Sequence, residues 1–489
     1  MGTISIENFS GGIDRTRPIY ALPNGRLWSG SNGHISRGGD FEKRKSFVSV
    51  QAMPAGTFGL FQSNSFGLVV FGSIATPAGF PFTIPGLGYL EYIRCQNPIT
   101  PASPMIAVES CNMFNGGYYC ICTFFDGNSF HFYNGVVIAD WYPGGVSKPT
   151  YNHSKIAQVY KRKVYAGISG SLNFSSLDQP THWDYSAAGL LLYPGAGFLS
   201  MQDNVGGIGD ITGMAVYKSQ LAVFMANNIQ LWSMDANPAL NAPAQVIQGT
   251  GSVSKNAIVG FGDYDVIYVS QSGIRSLKSA DYGGTANVFD IGTPIDTLIQ
   301  SITSTLVADA KACLEPTDGR LWVCIDGKIY VYSYFPSKKI AAWTVYDTTA
   351  MGITITDLAV VARRTFCRAG DTVYAYGGMD GSTYDSTIAS MQLPYVSMRE
   401  QAAYKQIVGF DAAVSGTWAV KLYVDPNDQA QYVDLGTIEK VTYNQPNIGS
   451  VGYGTHVSPV LTSSGSGAAS VSSVALHYHG GEHDTGIKR

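Results

Sequence analysis

Apolar and polar residues alternate along much of this chain in short runs that are separated by tight turns. The clearest unit has three apolar runs, Met214–Tyr217, Leu221–Phe224 and Ile229–Trp232, with a turn at Asn227-Asn228. A period of two is typical of half-buried strands, and Gly or Asn at a two-residue turn supplies the positive φ that a hairpin needs. The pattern predicts a unit of three antiparallel strands.

The same unit returns several times along the chain. Two further clear copies span Ile258–Leu277 and Lys311–Tyr332, the second with a turn at Asp326-Gly327. Weaker copies begin near Phe66, Tyr118, Lys155 and Leu358. The start points Ala215, Ile258, Ala312 and Ala359 are 43, 54 and 47 residues apart. This is the spacing of propeller blades, so we predict an all-β chain with a β-propeller of five to seven blades in residues 56–395.

The two flanks of the repeats differ from them. Residues 1–55 have little periodicity and are predicted to form an extended N-terminal arm with scattered apolar residues, among them Phe9, Leu27 and Trp28. We expect these residues to order the arm against the body or a neighbouring subunit. Residues 396–489 carry longer alternating runs and predict a small C-terminal β-sandwich or closing sheet.

One helix is predicted. Thr293 is the expected N-cap, Pro294 the first helical residue and Asp296 an acid in the first turn. The apolar residues that share one face at helical spacing are Ile295, Leu298, Ile299, Ile302 and Leu306. We expect the helix to fill a gap at the edge of the propeller.

Composition and charge narrow the function. Of the 489 residues, 45% are hydrophobic and 13% charged, with a net charge of −4, so neither a disordered chain nor a globally basic nucleic-acid binder is expected. Residues 1–50 hold seven basic and four acidic residues, hence +3, which leaves −7 for the remainder. That asymmetry suggests an acidic partner, protein or DNA, and a solvated loop with scattered charges is the alternative. The sequence predicts neither a signal peptide nor a membrane-spanning segment.

The seven cysteines do not have the spacing of a disulfide framework or a zinc site. Cys120 and Cys122 would share one face of a strand, without a second pair to complete a metal site. We expect the thiols to be small buried side chains. They are Cys95, Cys111, Cys120, Cys122, Cys313, Cys324 and Cys367.

Catalytic motifs are missing from the sequence, which has no phosphate-binding loop, nucleophile elbow or zinc-protease motif. The stretch Tyr376–Gly381 has one kelch-like double glycine, and Ser176–Trp183 approaches a sialidase Asp-box with the wrong spacing. We therefore predict no enzyme, no catalytic residues and no cofactor. A glycosidase pair of carboxylates stays open, because a propeller brings distant residues together.

Histidines cluster near the end of the sequence. His477 and His479 would share a strand face, and His483 with Asp484 could return after Gly480-Gly481 to bind zinc or nickel. The alternative is that these imidazoles form hydrogen bonds in the closing sheet or at a subunit contact. We predict the second arrangement and no metal site.

Several segments occur in an order that resembles a known family. An Asn8–Asp14 start with Phe-Ser-Gly-Gly precedes a turn at Leu22–Gly25 and the stretch Gly38–Arg44. The segment Lys163–Trp183 follows, and then a group of shorter ones. These are Gln248–Gly251, Ser272–Leu277, Tyr330–Pro336 and Ala342-Trp343. Together they resemble the nozzle or hub proteins of short-tailed phages, including the packaged-DNA-stabilisation type.

The resemblance implies a structural virion protein rather than an enzyme. Six copies would form a ring-shaped tail nozzle below the portal and its head-to-tail adaptor, in contact with tail fibre, spike or needle proteins. The ring would retain packaged double-stranded DNA and give it an exit channel lined mainly by neutral and acidic side chains. The protein would assemble in the bacterial host cytoplasm and reside in the virion tail. The alternative is a receptor-binding or glycan-processing propeller of the tail.

Overall fold

The protein is mostly β-structure. The computed structural model describes residues 2–63, 67–72, 79–85, 88–94, 105–112, 118–124, 129–133, 136–138, 156–179, 182–203, 209–261, 265–279, 286–397, 403–443 and 448–480, with strand positions alone between 105 and 138. Its first strands are β1 (Gly2–Ile6), β2 (Gly12–Ile13), β3 (Arg26–Leu27), β4 (Ser29–Ser31), β5 (Gly33–Ile35), β6 (Phe41–Lys43) and β7 (Phe47–Ala52).

Groups of four strands follow one another from residue 58 onwards. The first three groups are β8 (Phe58–Ser63), β9 (Gly67–Gly72), β10 (Phe82–Ile84) and β11 (Gly88–Arg94); β12 (Met105–Asn112), β13 (Tyr118–Phe124), β14 (Ser129–Tyr133) and β15 (Val136–Ile138); and β16 (Ile156–Tyr160), β17 (Lys163–Ile168), β18 (Ser171–Phe174) and β19 (Gly197–Ser200). Each group is one four-stranded sheet, and β9 and β11 form a parallel pair inside the first.

The next groups contain the three clear sequence repeats. They are β20 (Ile211–Tyr217), β21 (Gln220–Met225), β22 (Asn228–Ser233) and β23 (Ala242–Gln248); β24 (Ile258–Phe261), β25 (Asp265–Ser270), β26 (Gly273–Ser279) and β27 (Ala286–Phe289); and β28 (Lys311–Glu315), β29 (Arg320–Ile325), β30 (Lys328–Phe335) and β31 (Ile340–Asp347). The predicted strands are all present. Each unit has a fourth strand in addition to the three that were predicted.

The remaining strands form one more group and the C-terminal part of the chain. They are β32 (Asp357–Val361), β33 (Arg364–Ala369), β34 (Thr372–Tyr376), β35 (Ser390–Gln392), β36 (Lys405–Ser415), β37 (Thr417–Tyr423), β38 (Tyr432–Ile438), β39 (Ile448–Gly454), β40 (Ser458–Ser464) and β41 (Ser470–Gly480). The group β32–β34 obtains its fourth strand from the N-terminal part of the chain, because β34 pairs with β7.

The first strands of these groups contact one another in a closed cycle. Contacts join β8 to β12, β12 to β16, β16 to β20, β20 to β24, β24 to β28, β28 to β32 and β32 back to β8. Neighbouring sheets also share apolar cores. One such core joins Tyr165 and Leu172 of one sheet to Leu221 and Val223 of the next, all nearly inaccessible to solvent. Burying these faces against each other is what holds the cycle together.

Two larger sheets join the ends of the chain to the cycle. The first has the order β39-β36-β41-β6-β5, with β1 paired to β41. The second continues from the group β28–β31 through β4, β35, β40 and β37 to β38. A shared core of buried side chains, including Phe41, Phe410 and Trp418, packs between strands of the two sheets. The C-terminal part is therefore a sandwich that contains N-terminal strands.

The expected N-terminal arm is ordered against the body of its own chain. Phe9 and Leu27 are completely buried in the core of the sandwich, and Gly12 pairs with Trp343 of β31. The boundary expected near residue 55 differs from the structure, because β7 is already part of a sheet in the cycle. Sequence periodicity is weak here because most of these strands have only two or three residues.

The predicted helix is divided in two. A 3₁₀ turn at Thr293–Ile295 leads into α2 (Asp296–Gln300), and α3 (Ser304–Ala308) follows, while α1 (Ala187–Leu192) lies earlier in the chain. The break falls where the Ser301 hydroxyl donates to the Leu298 carbonyl at 2.7 Å and competes with the helix. Gly292, not Thr293, precedes the first turn. No helix among the described residues is long and apolar enough to cross a membrane.

The turn residues differ from those expected. Besides Asp326-Gly327, three hairpins have positive φ at pairs without Gly or Asn, which are Lys161-Arg162, Lys218-Ser219 and Ala362-Arg363. Each of these pairs joins the first and second strands of its group. Such backbone is costly for residues with a Cβ, so the surrounding strand pairing must enforce it.

Candidate functional site

An exposed apolar projection extends from the sheet β16–β19. It lies between β18 and β19 and contains the six-residue helix α1. Leu191 is 88% exposed and Leu192 68%, and Leu190 beside them is also exposed. Three consecutive leucines point around more than half of a helical turn, so a helix this short cannot bury all of them on one side. We call the exposed residues Tyr185, Leu190, Leu191, Leu192, Tyr193 and Phe198 the apolar lip.

Hydrogen bonds fix the start of the lip helix. The Ser186 hydroxyl accepts a hydrogen bond from the backbone N–H of Gly189 at 3.1 Å, which caps α1. The Asp184 carboxylate in turn accepts from the backbone N–H of Ser186 at 2.8 Å. Gly189 is buried, and a Cβ there would lie 2.3 Å from the carboxylate carbon of Asp184. The helix is therefore held by its own N-terminal turn.

The base of the lip is tied to the sheet below it. The buried Ser176 hydroxyl lies 2.7 Å from Nδ1 of His182 and donates to the carbonyl of Tyr193 at 2.9 Å. The buried Lys163 ammonium donates to the carbonyls of Gly195 and Ala236, each at 2.8 Å. Burial lowers the pKa of Lys163 to about 8. The base of the lip is thus held in place by hydrogen bonds while its apolar tip is exposed. An exposed apolar patch of this kind is typical of a surface that contacts another molecule.

The described residues of the segment Ser176–Trp183, which approaches an Asp-box in sequence, form part of this base. Asp178 has a positive φ of 58° and pairs with the Arg162 guanidinium, whose Nε lies 2.8 Å from its Oδ1. Trp183 is buried. These contacts show that the described residues of the segment stabilise the local fold. The double glycine at Tyr376–Gly381 is likewise a tight turn, in which Gly377, Gly378 and Gly381 all have positive φ.

A cluster of charged residues joins the first strands of two groups in the cycle. The buried Asp357 of β32 accepts from Nε of Arg368 at 2.8 Å, and its other oxygen lies 3.5 Å from Nζ of Lys311 in β28. Arg368 also donates to the carbonyl of Thr57 just before β8, at 3.0 Å. Burial alone would raise the pKa of Asp357, but Lys311 and Arg368 outweigh it and lower the pKa. The cluster reinforces the cycle where its ends meet.

Most of the arm's described positive charges have partners within the chain. Arg26 lies 3.8 Å from Asp14, and Arg44 lies 3.2 Å from Asp385. Lys43 is buried and donates to two backbone carbonyls. The positive charges of the arm are therefore mostly paired within the chain and do not form one exposed basic surface.

Other basic residues do reach the surface. Lys161 and Arg363 lie in exposed hairpin turns that join the first two strands of their groups. The neighbouring Arg364 packs against the turn at Gly381, where an added Cβ would lie 1.4 Å from its Nη1. The turns at Lys161-Arg162 and Ala362-Arg363 hold equivalent positions in their groups, and no local sequence motif marks this equivalence.

His477 of β41 has partners at both ring nitrogens. Nε2 lies 2.8 Å from the Asp411 carboxylate, and Nδ1 lies 3.0 Å from the Thr3 hydroxyl. His479 is exposed on the same strand, and His483 lies outside the described residues. Within the part of the chain that is described, no three His, Cys, Asp or Glu side chains are placed to hold a metal ion. His477 thus forms the hydrogen bonds within the closing sheet that were predicted for the imidazoles.

Three of the thiols lie near one another between the groups β28–β31 and β32–β34. Cys324 and Cys367 are buried and Cys313 is half-buried, and all three are free. Burial raises the pKa of Cys324 to about 12 and raises those of the other two above the usual range. They are therefore inert protonated side chains in an apolar core. Cys120 and Cys122 belong to β13, where the structure describes the strand alone.

No known protein family matches the chain, and no curated protein matches it. Solved structures show distant likeness. The extracellular domain of a one-component system from B. thetaiotaomicron has 10% identity and a TM-score of 0.40 over 80% of this chain and 47% of that one. The extracellular domain of a hybrid two-component system from B. thetaiotaomicron has 11% identity and a TM-score of 0.41, over 87% of this chain and 60% of that one. BBS1N in complex with ARL6DN has 12% identity and a TM-score of 0.33, over 68% of this chain and 97% of that one. Likeness at this level identifies no family.

Proposed function

We propose that this chain is a structural, non-catalytic subunit of a phage tail that forms a ring-shaped nozzle or hub below the portal and adaptor. The closed cycle of first strands supports a seven-bladed propeller in which β7 completes the last blade. The proposal of a phage role comes from the order of sequence segments, and the apolar lip supplies the contact surface that a ring needs.

The apolar lip is the observation that carries the proposal of self-assembly. Fully burying one leucine side chain stabilises a contact by about 1.5–3 kcal/mol, and Leu191 and Leu192 leave most of that unused in the single chain. A closed ring of identical subunits uses a head-to-tail contact, in which one patch meets a different patch of the neighbour. The lip of one subunit would therefore pack on another surface of the next. A twofold dimer would instead bring patches of one kind together.

Charge is compatible with passage of DNA through such a ring. The net charge is −4, and the described arginines of the arm include Arg26 and Arg44, which already face Asp14 and Asp385. Each free Lys or Arg on phosphate adds affinity and slows sliding. Few free cations on the channel wall would let DNA leave without being held.

Assembly can be tested with a double substitution in the lip. We expect the wild-type chain to form rings in negative-stain microscopy, and Leu191→Asp with Leu192→Asp to leave a folded monomer with unchanged circular dichroism. Ile388→Asp is the matched control, because Ile388 is 56% exposed elsewhere and should tolerate the charge. Rings that form equally well from the double variant would refute a role of the lip in assembly.

The phage role is tested by deleting the gene in its phage. We expect heads that package DNA and lose it, or tails that stop below the adaptor. Particles with complete tails that retain DNA and fail to adsorb would refute the nozzle proposal and favour the receptor-binding alternative. Complementation with the lip variant then separates a failed ring from an absent protein.

A further inference from the structure

A small cavity opens between the sheets β24–β27 and β28–β31. Its volume is about 140 Å³, and it is lined by aromatic and polar side chains from both sheets. This region is not used by the lip or by the cluster around Asp357. A pocket with apolar walls and a few convergent polar groups is the usual form of a small-molecule site.

Strand register places the lining residues on one face. Phe261 of β24 pairs with Asp265 of β25, which pairs with Lys278 of β26. One step along the same face, Ser276 pairs with Phe289 of β27. Residues directly opposite on neighbouring strands point to the same side of a sheet. Asp265 therefore lies beside Phe261, and Ser276 beside Phe289, on the same face as Lys278.

Tyr334 of β30 completes the wall from the neighbouring sheet. Its ring centroid lies 5.9 Å from that of Phe261, at an interplanar angle of 58°, and it stacks on Tyr332 at 5.8 Å. Phe289 is 41% exposed and so leaves the cavity open at that edge. These rings contact one another and give the cavity an apolar wall.

The cavity is also lined by the oppositely charged pair Asp265 and Lys278. Oδ1 of Asp265 is buried, and no hydrogen bond to it is formed by the described residues. The other oxygen lies 3.7 Å from Nζ of Lys278, whose side chain is 42% exposed. Burial raises the pKa of Asp265, although Lys278 and the hydroxyl of Ser276 act against this. The Lys278 ammonium can donate a hydrogen bond to a polar group that enters the cavity, and the Asp265 carboxylate can accept one.

We propose that this cavity binds one ring of a neutral sugar, such as the terminal residue of a glycan. One hydroxyl group would donate to the carboxylate of Asp265, and the neighbouring hydroxyl would accept from Lys278. The apolar face of the sugar ring would pack against Tyr334 or Phe289. An alkylammonium group also suits aromatic walls, but the positive charge of Lys278 opposes it. This inference is independent of the ring and would hold for a tail component of either kind.

The test is a titration of the full chain with methyl glycosides of glucose, galactose, mannose and N-acetylglucosamine, followed by saturation-transfer NMR and calorimetry. We expect saturable binding of at least one glycoside. Lys278→Ala and Tyr334→Ala should each weaken it about tenfold, as the loss of one direct contact does. Tyr89→Ala, a change at an exposed tyrosine in another sheet, should leave it unchanged.

Three results would overturn the inference. The first is no binding of any glycoside in the panel by the wild-type chain. The second is equal binding by the wild-type chain and the folded Lys278→Ala and Tyr334→Ala variants. The third is a preference for choline, used as the cationic probe, over every glycoside. A cavity that holds only water gives the first result.

Discussion

His34 is a buried histidine whose protonation should destabilise the protein. It lies on β5, with Nδ1 2.7 Å from the hydroxyl of Tyr346 and Nε2 3.5 Å from the carboxylate of Glu42. Burial lowers the pKa of His34 to about 4, assisted by the charge of Arg320 and opposed by Glu42 and Asp318. Burial also raises the pKa of Tyr346, so its hydroxyl stays protonated and donates to Nδ1. The neutral imidazole is the form that fits.

The sign of the pH effect follows from these values. The pKa of His34 is about 4 in the folded chain and about 6.5 in an unfolded one, so the unfolded chain binds the proton first as the pH falls. The contribution of the neutral histidine is complete above about pH 6.5 and is lost progressively towards pH 4. The difference corresponds to about 3 kcal/mol in the free energy of unfolding.

Urea denaturation of the wild-type chain and of His34→Gln, from pH 7.5 down to pH 4, measures this loss. Glutamine accepts from Tyr346 and donates to Glu42 without titrating, so the stability advantage of the wild type should shrink by about 3 kcal/mol across the series. His479→Gln is the matched control at an exposed histidine and should follow the wild-type curve. Parallel curves for wild type and His34→Gln would refute the assignment.

Two further substitutions probe the junction between the arm and the rest of the chain. Arg44 is completely buried beside Asp385, whose side chain is 15% exposed, so Arg44→Met should lower the free energy of unfolding by about 3 kcal/mol, measured in urea, because it leaves a mostly buried carboxylate without its cation; a change within error would show that the pair is dispensable. Gly12 has a φ of +56°, and a Cβ there would lie 2.6 Å from the backbone of Trp343. Gly12→Ala should therefore lower the melting temperature clearly more than Gly319→Ala, which has positive φ in open space, and equal effects would contradict the close approach.

The inner strands of the fold were predictable and the outer ones were not. The run at Leu221–Phe224 is apolar at every position because all four of its side chains are buried, and Met214 and Tyr217 of the preceding run are buried as well. The fourth strand of the same group, Ala242–Gln248, is exposed or half-buried throughout and carries no such pattern. Edge strands need little apolar alternation, so the number of strands in each group could not be obtained from periodicity.

The candidate sites depend on contacts that no local motif encodes. The three leucines of the lip form an apolar run in the sequence, and nothing there shows that they remain exposed. Asp265 and Lys278 are neighbours only through the register of β25 and β26. The partners of His477, by contrast, agree with the prediction of hydrogen bonds in the closing sheet, because alternation along β41 was long enough to define its faces.

The pairing of β7 with β34 has a consequence for biosynthesis. Phe47–Ala52 leave the ribosome early, whereas their partners Thr372–Tyr376 are made only after every other sheet of the cycle. Until then β7 is an unpaired edge that invites wrong partners. The entropy cost of closing a loop grows only slowly with its length, so the long separation of β7 and β34 lowers the final stability little. Its main effect is a longer time during which the unfinished chain can aggregate. Nascent chains should thus need protection from aggregation until residue 376 has emerged, and fragments truncated before it should not form a closed cycle.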